Sequence, residues 1–252
     1  MNRPSLHELH EQADALEERM SRELDRLAVK SVLYQSGEID PSRQQAPPEN
    51  PRGLHFLMGP DPRLPPMPDK PTLIDFFRLR FGPSTHVLQS AKLALNGGHS
   101  EKIVMACLLH DIAVTGFIRS DHGYWAAQLI EPYVDEEVSW AVRAHQVLRF
   151  YPDESVGYEY PEAYVRFFGA HYRPDPYVDR AYQSALRHKY YMSARLVTMN
   201  DFYAFDPDVV VHLEEFTDII GRNFRQPEEG LGFDDSPSAH MWRTIAMPTR
   251  FL

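Results

Sequence analysis

The sequence predicts an all-α fold: a helical bundle preceded by a proline-rich strap and followed by an irregular tail. Three observations predict it. Apolar residues recur at three- and four-residue steps through most of the chain after Thr72, the spacing that lines one face of a helix. No segment sustains the strict alternation of a half-buried strand, so strands should be few. Glycine and proline cluster at a small number of points, where they separate the periodic stretches.

From the N-terminus, Leu9, Ala13, Leu16, Met20, Leu24 and Leu27 form an apolar stripe with charges between them, which predicts an amphipathic helix from about Leu6 to Val29. Within a segment spanning 1–35, this helix packs either on its own domain or on a partner chain as a homodimer. Residues 36–71 follow as a strap, because the ten prolines from Pro41 to Pro71 exclude a long helix. Leu54, Phe56, Leu57 and Met58 interrupt them with apolar surface suited to lying on a domain. Residues 72–208 form the core. Leu73 to Arg80 is a short helix, and Ser84 serves as N-cap of one running through His86 to Leu95, stopped by Asn96-Gly97-Gly98. Ser100 caps a helix from Glu101 to about Ile112, and Asp121 caps one carrying His122, Trp125 and Leu129. Glu136 to His145 follows, then an insertion rich in Tyr, Phe and Pro from Pro152 to Tyr177, suited to a pocket mouth. Asp179 to Asn200 is read as one last long helix. Residues 209–252 are a C-terminal helix and tail packing on the core.

Composition narrows the function. A chain of 252 residues with 43% hydrophobic and 12% aromatic content can bury a substantial core. A net charge of -10 argues against tracking a nucleic-acid backbone, which needs clustered Lys and Arg. No apolar run is long enough to span a membrane, and Met1 to Asp14 lacks the apolar region of a signal peptide. The single cysteine, Cys107, cannot form an internal disulfide, which points to a reducing, cytoplasmic setting.

Six residues carry the chemistry: His86, the adjacent pair His110 and Asp111, His122, His145 and Asp201. Four imidazoles and two carboxylates suffice for two divalent ions, and being far apart in sequence they meet only in a folded bundle. His110 and Asp111 end an otherwise apolar helix, where adjacent polar groups are costly to bury unpaired. The set contains no thiolate, which excludes a Cys-rich structural zinc site. Imidazole with carboxylate suits iron, manganese, nickel or zinc. Seven of the chain's other eight histidines have no comparable context, and His171 lies in the aromatic-rich insertion, where it could line a pocket.

The lines bearing these residues are His86 to Ala91 (HVLQSA), Ala106 to Ala113 (ACLLHDIA), Asp121 to Ile130 (DHGYWAAQLI), Ala144 to Tyr151 (AHQVLRFY) and Tyr191 to Asp201 (YMSARLVTMND). Over roughly residues 73–205 they resemble the HD superfamily, and most of all its two-metal branch of myo-inositol oxygenase-like and organophosphonate-cleaving oxygenases. The resemblance implies an HD-domain helical bundle and assigns His86, His110, Asp111 and Asp201 to one ion. It assigns His122 and His145 to a second ion, with Asp111 bridging. It implies a mixed-valent di-iron oxidoreductase acting on a small polar or anionic substrate with O2, with manganese, nickel or zinc as alternative metals. No catalytic residue is implied beyond the metal centre. Arg149, one helical turn after His145, matches a substrate-contacting lysine of the phosphonate oxygenases; the bland alternative is a surface ion pair with Asp153 or Glu154. The sequence departs from the pattern where those enzymes carry a gating tyrosine, since Phe76-Phe77-Arg78-Leu79 stands there. Tyr34, Tyr151, Tyr172, Tyr190 and Tyr191 are candidates for that role. Val114 replaces a lysine common in HD phosphohydrolases. A metal-dependent phosphohydrolase is the alternative enzyme, and a non-catalytic regulatory module the third reading.

Overall fold

A computed structural model describes Ala15 and residues 65–68, 71–81, 84–116, 121–169, 171–204, 206 and 208–225. The N-terminal amphipathic helix, the homodimer contact assigned to it, most of the proline strap and the tail after Arg225 lie outside the described residues.

The described residues are all-α, and the one β feature among them is an isolated antiparallel bridge between Asp153 and Tyr158. Helix α1 (Leu73–Leu79) starts at a capping box: the Thr72 hydroxyl accepts from the Asp75 N–H while the Asp75 carboxylate accepts from the Thr72 N–H. Its Phe76 and Phe77 pack with Phe81 at centroid distances of 5.8 and 5.1 Å, closing one end of the core. Helix α2 (Ser84–Asn96) already includes Ser84, the residue expected to cap it. It ends at Gly97-Gly98, where Gly98 takes a φ of 72° that only glycine adopts at little cost.

Helix α3 (Glu101–Leu109) is buried from Ile103 to Leu109 and packs against α2 and three later helices. It stops earlier than the sequence pattern suggests. His110 is its C-cap, Asp111 lies in the turn, and Ile112–Gly116 continues as a 3-10 helix closed by the Val114 N–H on the Asp111 carbonyl. Helix α4 (His122–Ile130) follows Asp121, whose side chain makes no capping bond; its backbone is left-handed, with φ 54°. Helix α5 (Glu136–Leu148) is capped by Asp135, runs a turn longer than expected, and packs on α3 and α4. Within the Tyr- and Pro-rich insertion, Glu154–Val156 forms a 3-10 turn and Glu162–Phe168 forms α6.

The expected helix from Asp179 to Asn200 is two helices, α7 (Pro176–Ala185) and α8 (Tyr191–Phe202). Tertiary contacts outweigh local propensity at the break. His188 stacks on Trp140 at 3.8 Å, Lys189 pairs with Glu136 at 2.8 Å, and the Tyr190 hydroxyl reaches the same carboxylate. A straight helix would carry these three residues away from α5. Helix α8 packs on α2, α3 and α5, and α9 (Thr217–Asn223) rests on α3 through buried Ile219 and Ile220. No helix among the described residues is long and apolar enough to cross a membrane.

Candidate metal centre

Six side chains from α2, the α3 terminus, α4, α5 and α8 meet inside the bundle. The rings of His86, His110, His145 and His122 form a row with successive centroids 5.1, 5.1 and 5.0 Å apart. All four histidines and Asp201 are buried, and Asp111 alone retains partial exposure, 15% of its side chain. His86 sits in the first turn of α2, and its Nε2 lies 3.2 Å from His110 Nε2 and 2.8 Å from Asp201 Oδ1. At the other end of the row, His122 Nε2 stands 3.0 Å from His145 Nε2. Asp111 lies between these halves: Oδ2 is 3.6 Å from His110 and 3.8 Å from His86, while Oδ1 is 3.3 Å from His122. The end of α3 makes this split possible, because His110 projects from the last helical turn and Asp111 from the turn beyond it.

The donor set fits a cation. Backbone carbonyls of Ala204, Cys107 and Val142 face the Nδ1 atoms of His86, His110 and His145 at 3.3, 2.7 and 2.5 Å. A carbonyl only accepts, so each Nδ1 carries a proton and each Nε2 faces the neighbouring side chains, where it can bind a proton or a cation. The Nε2 atoms stand 3.2 and 3.0 Å apart within the two pairs, a spacing that either a shared proton or a bound cation satisfies. Two ligands at about 2.1 Å from one ion and at right angles stand about 3.0 Å apart, the spacing found here. A carbonyl on the far nitrogen also fixes the tautomer and raises ligand basicity, as second partners of metal-bound histidines do. The buried set His86, His110 and Asp201, and the set His110, Asp111 and His145, in which Asp111 is partly exposed, could each hold a metal ion. Cys107, fully buried, has its thiol pushed up to about 12 by burial, so it stays protonated beside the site.

Without metal, the charges sort strongly. Burial opposes ionisation of Asp201, but Arg149 and His110 outweigh it and hold the carboxyl well below its usual range. For Asp111 the same opposition from burial is overcome by His110, His122 and His86, again lowering the carboxyl. Burial works against a charged His110, yet Asp111 and Asp201 carry it up to about 9. Burial and the neighbouring rings of His122 and His110 push His145 down to about 3. The ring row thus holds one histidine beside two carboxylates that favours a proton and another that rejects it.

Arg149 faces inward rather than toward the surface. It is 9% exposed, its Nη1 lies 3.6 Å from Asp201 Oδ2, and its guanidinium stacks over Tyr164 at 5.3 Å. Asp153 is engaged elsewhere, with Arg195 and the Tyr191 hydroxyl. Of the tyrosines considered as a gate, Tyr151 stacks on Tyr182, Tyr190 reaches Glu136 and Tyr191 reaches Asp153. Tyr172 packs near Phe150, and Tyr34 lies outside the described residues.

Three supporting residues escaped the sequence reading. A Cβ on Gly123 would stand 2.8 Å from the Val142 carbonyl and 3.1 Å from His145 Cε1. Only a glycine beside His122 lets α4 approach α5 closely enough to pair the two rings. The Thr198 hydroxyl donates to the His145 carbonyl at 2.9 Å, joining α8 to the same turn. Arg195, fully buried, donates to the carbonyls of Leu148 and Tyr151 at 2.9 and 3.0 Å and so caps the C-terminus of α5. Gly123 and Arg195 did carry a signal: a glycine early in an apolar helix, and an arginine inside one. No protein-family model matches this chain, and no curated protein matches it.

Proposed function

We propose that this chain is a two-metal oxygenase of the HD type, acting with O2 on a small polar or anionic molecule. His86, His110, Asp111 and Asp201 would hold one ion, and His122, His145 and the second oxygen of Asp111 the other. The observation that carries the reading is Asp111 standing between the two histidine pairs, with one oxygen toward each. Iron is the metal that imidazole and carboxylate would hold for this purpose, and when bound it supplies the redox capacity to activate dioxygen.

The chain's own residues do the remainder. The carbonyls behind His86, His110 and His145 keep each Nε2 aimed into the centre. Buried apolar residues of α2, α3 and α5, among them Val87, Met105 and Val142, keep water out of the core beside the site. Arg149, placed beside Asp201 and braced by Tyr164, offers a planar fork that matches a phosphonate or carboxylate.

The test is metal analysis of protein purified without added metal, followed by oxygen uptake with small phosphonates, carboxylates and polyols. Two irons and substrate-dependent uptake are expected. Phosphate release under anaerobiosis, with no oxygen uptake on any candidate, would instead establish the metal-dependent phosphohydrolase. Arg149→Ala should keep both ions and lose substrate affinity by about 1.5–3 kcal/mol, as for a hydrogen bond to a charged group. Arg149→Lys should recover part of that loss, because an ammonium cannot reproduce the fork.

A further inference from the structure

We propose that a groove between α4, α5 and α7 is a second binding site, for a planar aromatic ligand bearing an anionic group. Its volume is about 450 Å³, within the span of small-molecule sites, roughly 300–1,000 Å³. Tyr124, Trp125, Trp140 and Tyr177 form its walls, and small residues, Ala144, Ala181 and Ala185, leave a slot between the rings. Trp125 is 47% exposed and Tyr177 46%, a concentration of aromatic surface that a protein rarely leaves to water without use. The walls are set in advance. Trp140 stacks on His188 at 3.8 Å, and Trp125 meets Tyr124 edge to face at 5.3 Å.

Arg143 supplies the charge. Its guanidinium lies over the Tyr124 ring at 4.7 Å and has no acidic partner among the described residues. Arg78 and Arg222, by contrast, are each tied to a carboxylate, Glu214 and Glu101. A guanidinium held flat on one aromatic wall presents its donors to an anion whose ring enters the slot. Asp121 also lines the groove, with both of its oxygens within 3.2–3.3 Å of the Tyr177 hydroxyl. The groove is separate from the metal centre, for α5 turns Trp140, Arg143 and Val147 toward it and His145 toward the bundle interior.

Calorimetric titration of the full chain with indole-3-acetate tests the proposal, with tryptamine as the cationic counterpart. Saturable one-to-one binding of indole-3-acetate is expected, with tryptamine at least about tenfold weaker. Arg143→Ala should weaken binding by about tenfold or more while leaving the melting temperature unchanged. Ala181→Phe, a change at an exposed position, should fill the slot and abolish binding. Absence of saturable binding, equal affinity for tryptamine, or parental affinity in either variant would each overturn the assignment.

Discussion

The two halves of the histidine row are built by different physics. Around His86 and His110 the geometry is held by charge: Asp201 lies against both rings, Arg149 stands behind Asp201, and the two carboxylates are held ionised. Around His122 and His145 the nearest carboxylate oxygen is Asp111 Oδ1, and the rings meet because two helices approach without a Cβ at Gly123. A half fixed by opposite charges tolerates small displacements, since Coulomb attraction falls off gradually. A half fixed by contact does not, because packed interiors have little room to absorb an added methyl group. The second half is therefore the more fragile. Variants can separate the two.

The largest effect is expected at the group both halves share. Asp111→Ala should cost both ions, whereas His122→Ala should cost one and leave the His86, His110 and Asp201 set in place. Metal counting on the two purified variants reads the asymmetry directly. Equal losses would remove the bridging role of Asp111.

Next in size is Gly123→Ala. The new Cβ meets backbone at 2.8 Å, which cannot yield as a flexible side chain would, so destabilisation of about 1–3 kcal/mol is expected. Thermal unfolding measures it. Metal stoichiometry should fall by the ion of the second half alone. A variant that retains both ions at parental affinity would show that contact at Gly123 does not govern the pair.

Much of this arrangement was legible in the sequence, and the missing parts have identifiable physical reasons. The helices appeared because their apolar faces recur at helical spacing, and the six polar residues stood out against them. The break between α7 and α8 was invisible because it depends on Trp140 and Glu136, some fifty residues earlier, which draw His188, Lys189 and Tyr190 to α5. Asp121 was read as an N-cap from its residue type, yet its left-handed backbone places the carboxylate at Tyr177 instead. Arg149 could not be oriented from sequence, since inward and outward positions one turn beyond His145 differ only through what α8 offers. Asp201 offers a carboxylate, and the side chain turns in.

A pH effect sharpens the contrast between the halves. In the metal-free site His110 is raised to about 9 and His145 lowered to about 3. Raised above its unfolded value, His110 contributes stability that is complete below about pH 6.5 and lost as pH rises through about 9. A cation bound at His110 Nε2 must displace that proton, so metal uptake at about pH 7.5 should release close to one proton from the first half. His145 should release none. Calorimetry of metal binding in buffers of different ionisation enthalpy counts the protons, and metal affinity should climb with pH up to about 9. Uptake with no proton release would contradict the charged state assigned to His110.

The smallest effect belongs to the turn that leads into His122. Asp121 holds a φ of 54°, the one non-glycine residue with positive φ among the described residues, and the Tyr177 hydroxyl donates to its carboxylate at 3.2 Å. Tyr177→Phe removes that bond at an exposed site, so the loss should sit at the low end for a hydrogen bond, about 0.5 kcal/mol. Asp121→Gly removes the same bond but also relieves the left-handed conformation, worth about 1 kcal/mol in the opposite direction. Glycine should therefore be no less stable than the parent, while Tyr177→Phe is slightly less stable. Thermal unfolding of the pair gives the two signs. If both variants lost stability equally, the hydrogen bond would dominate the turn and the strain would be negligible. If neither changed the retention of the second ion, the turn at Asp121 would play no part in placing His122, and the close helix approach at Gly123 would carry that half.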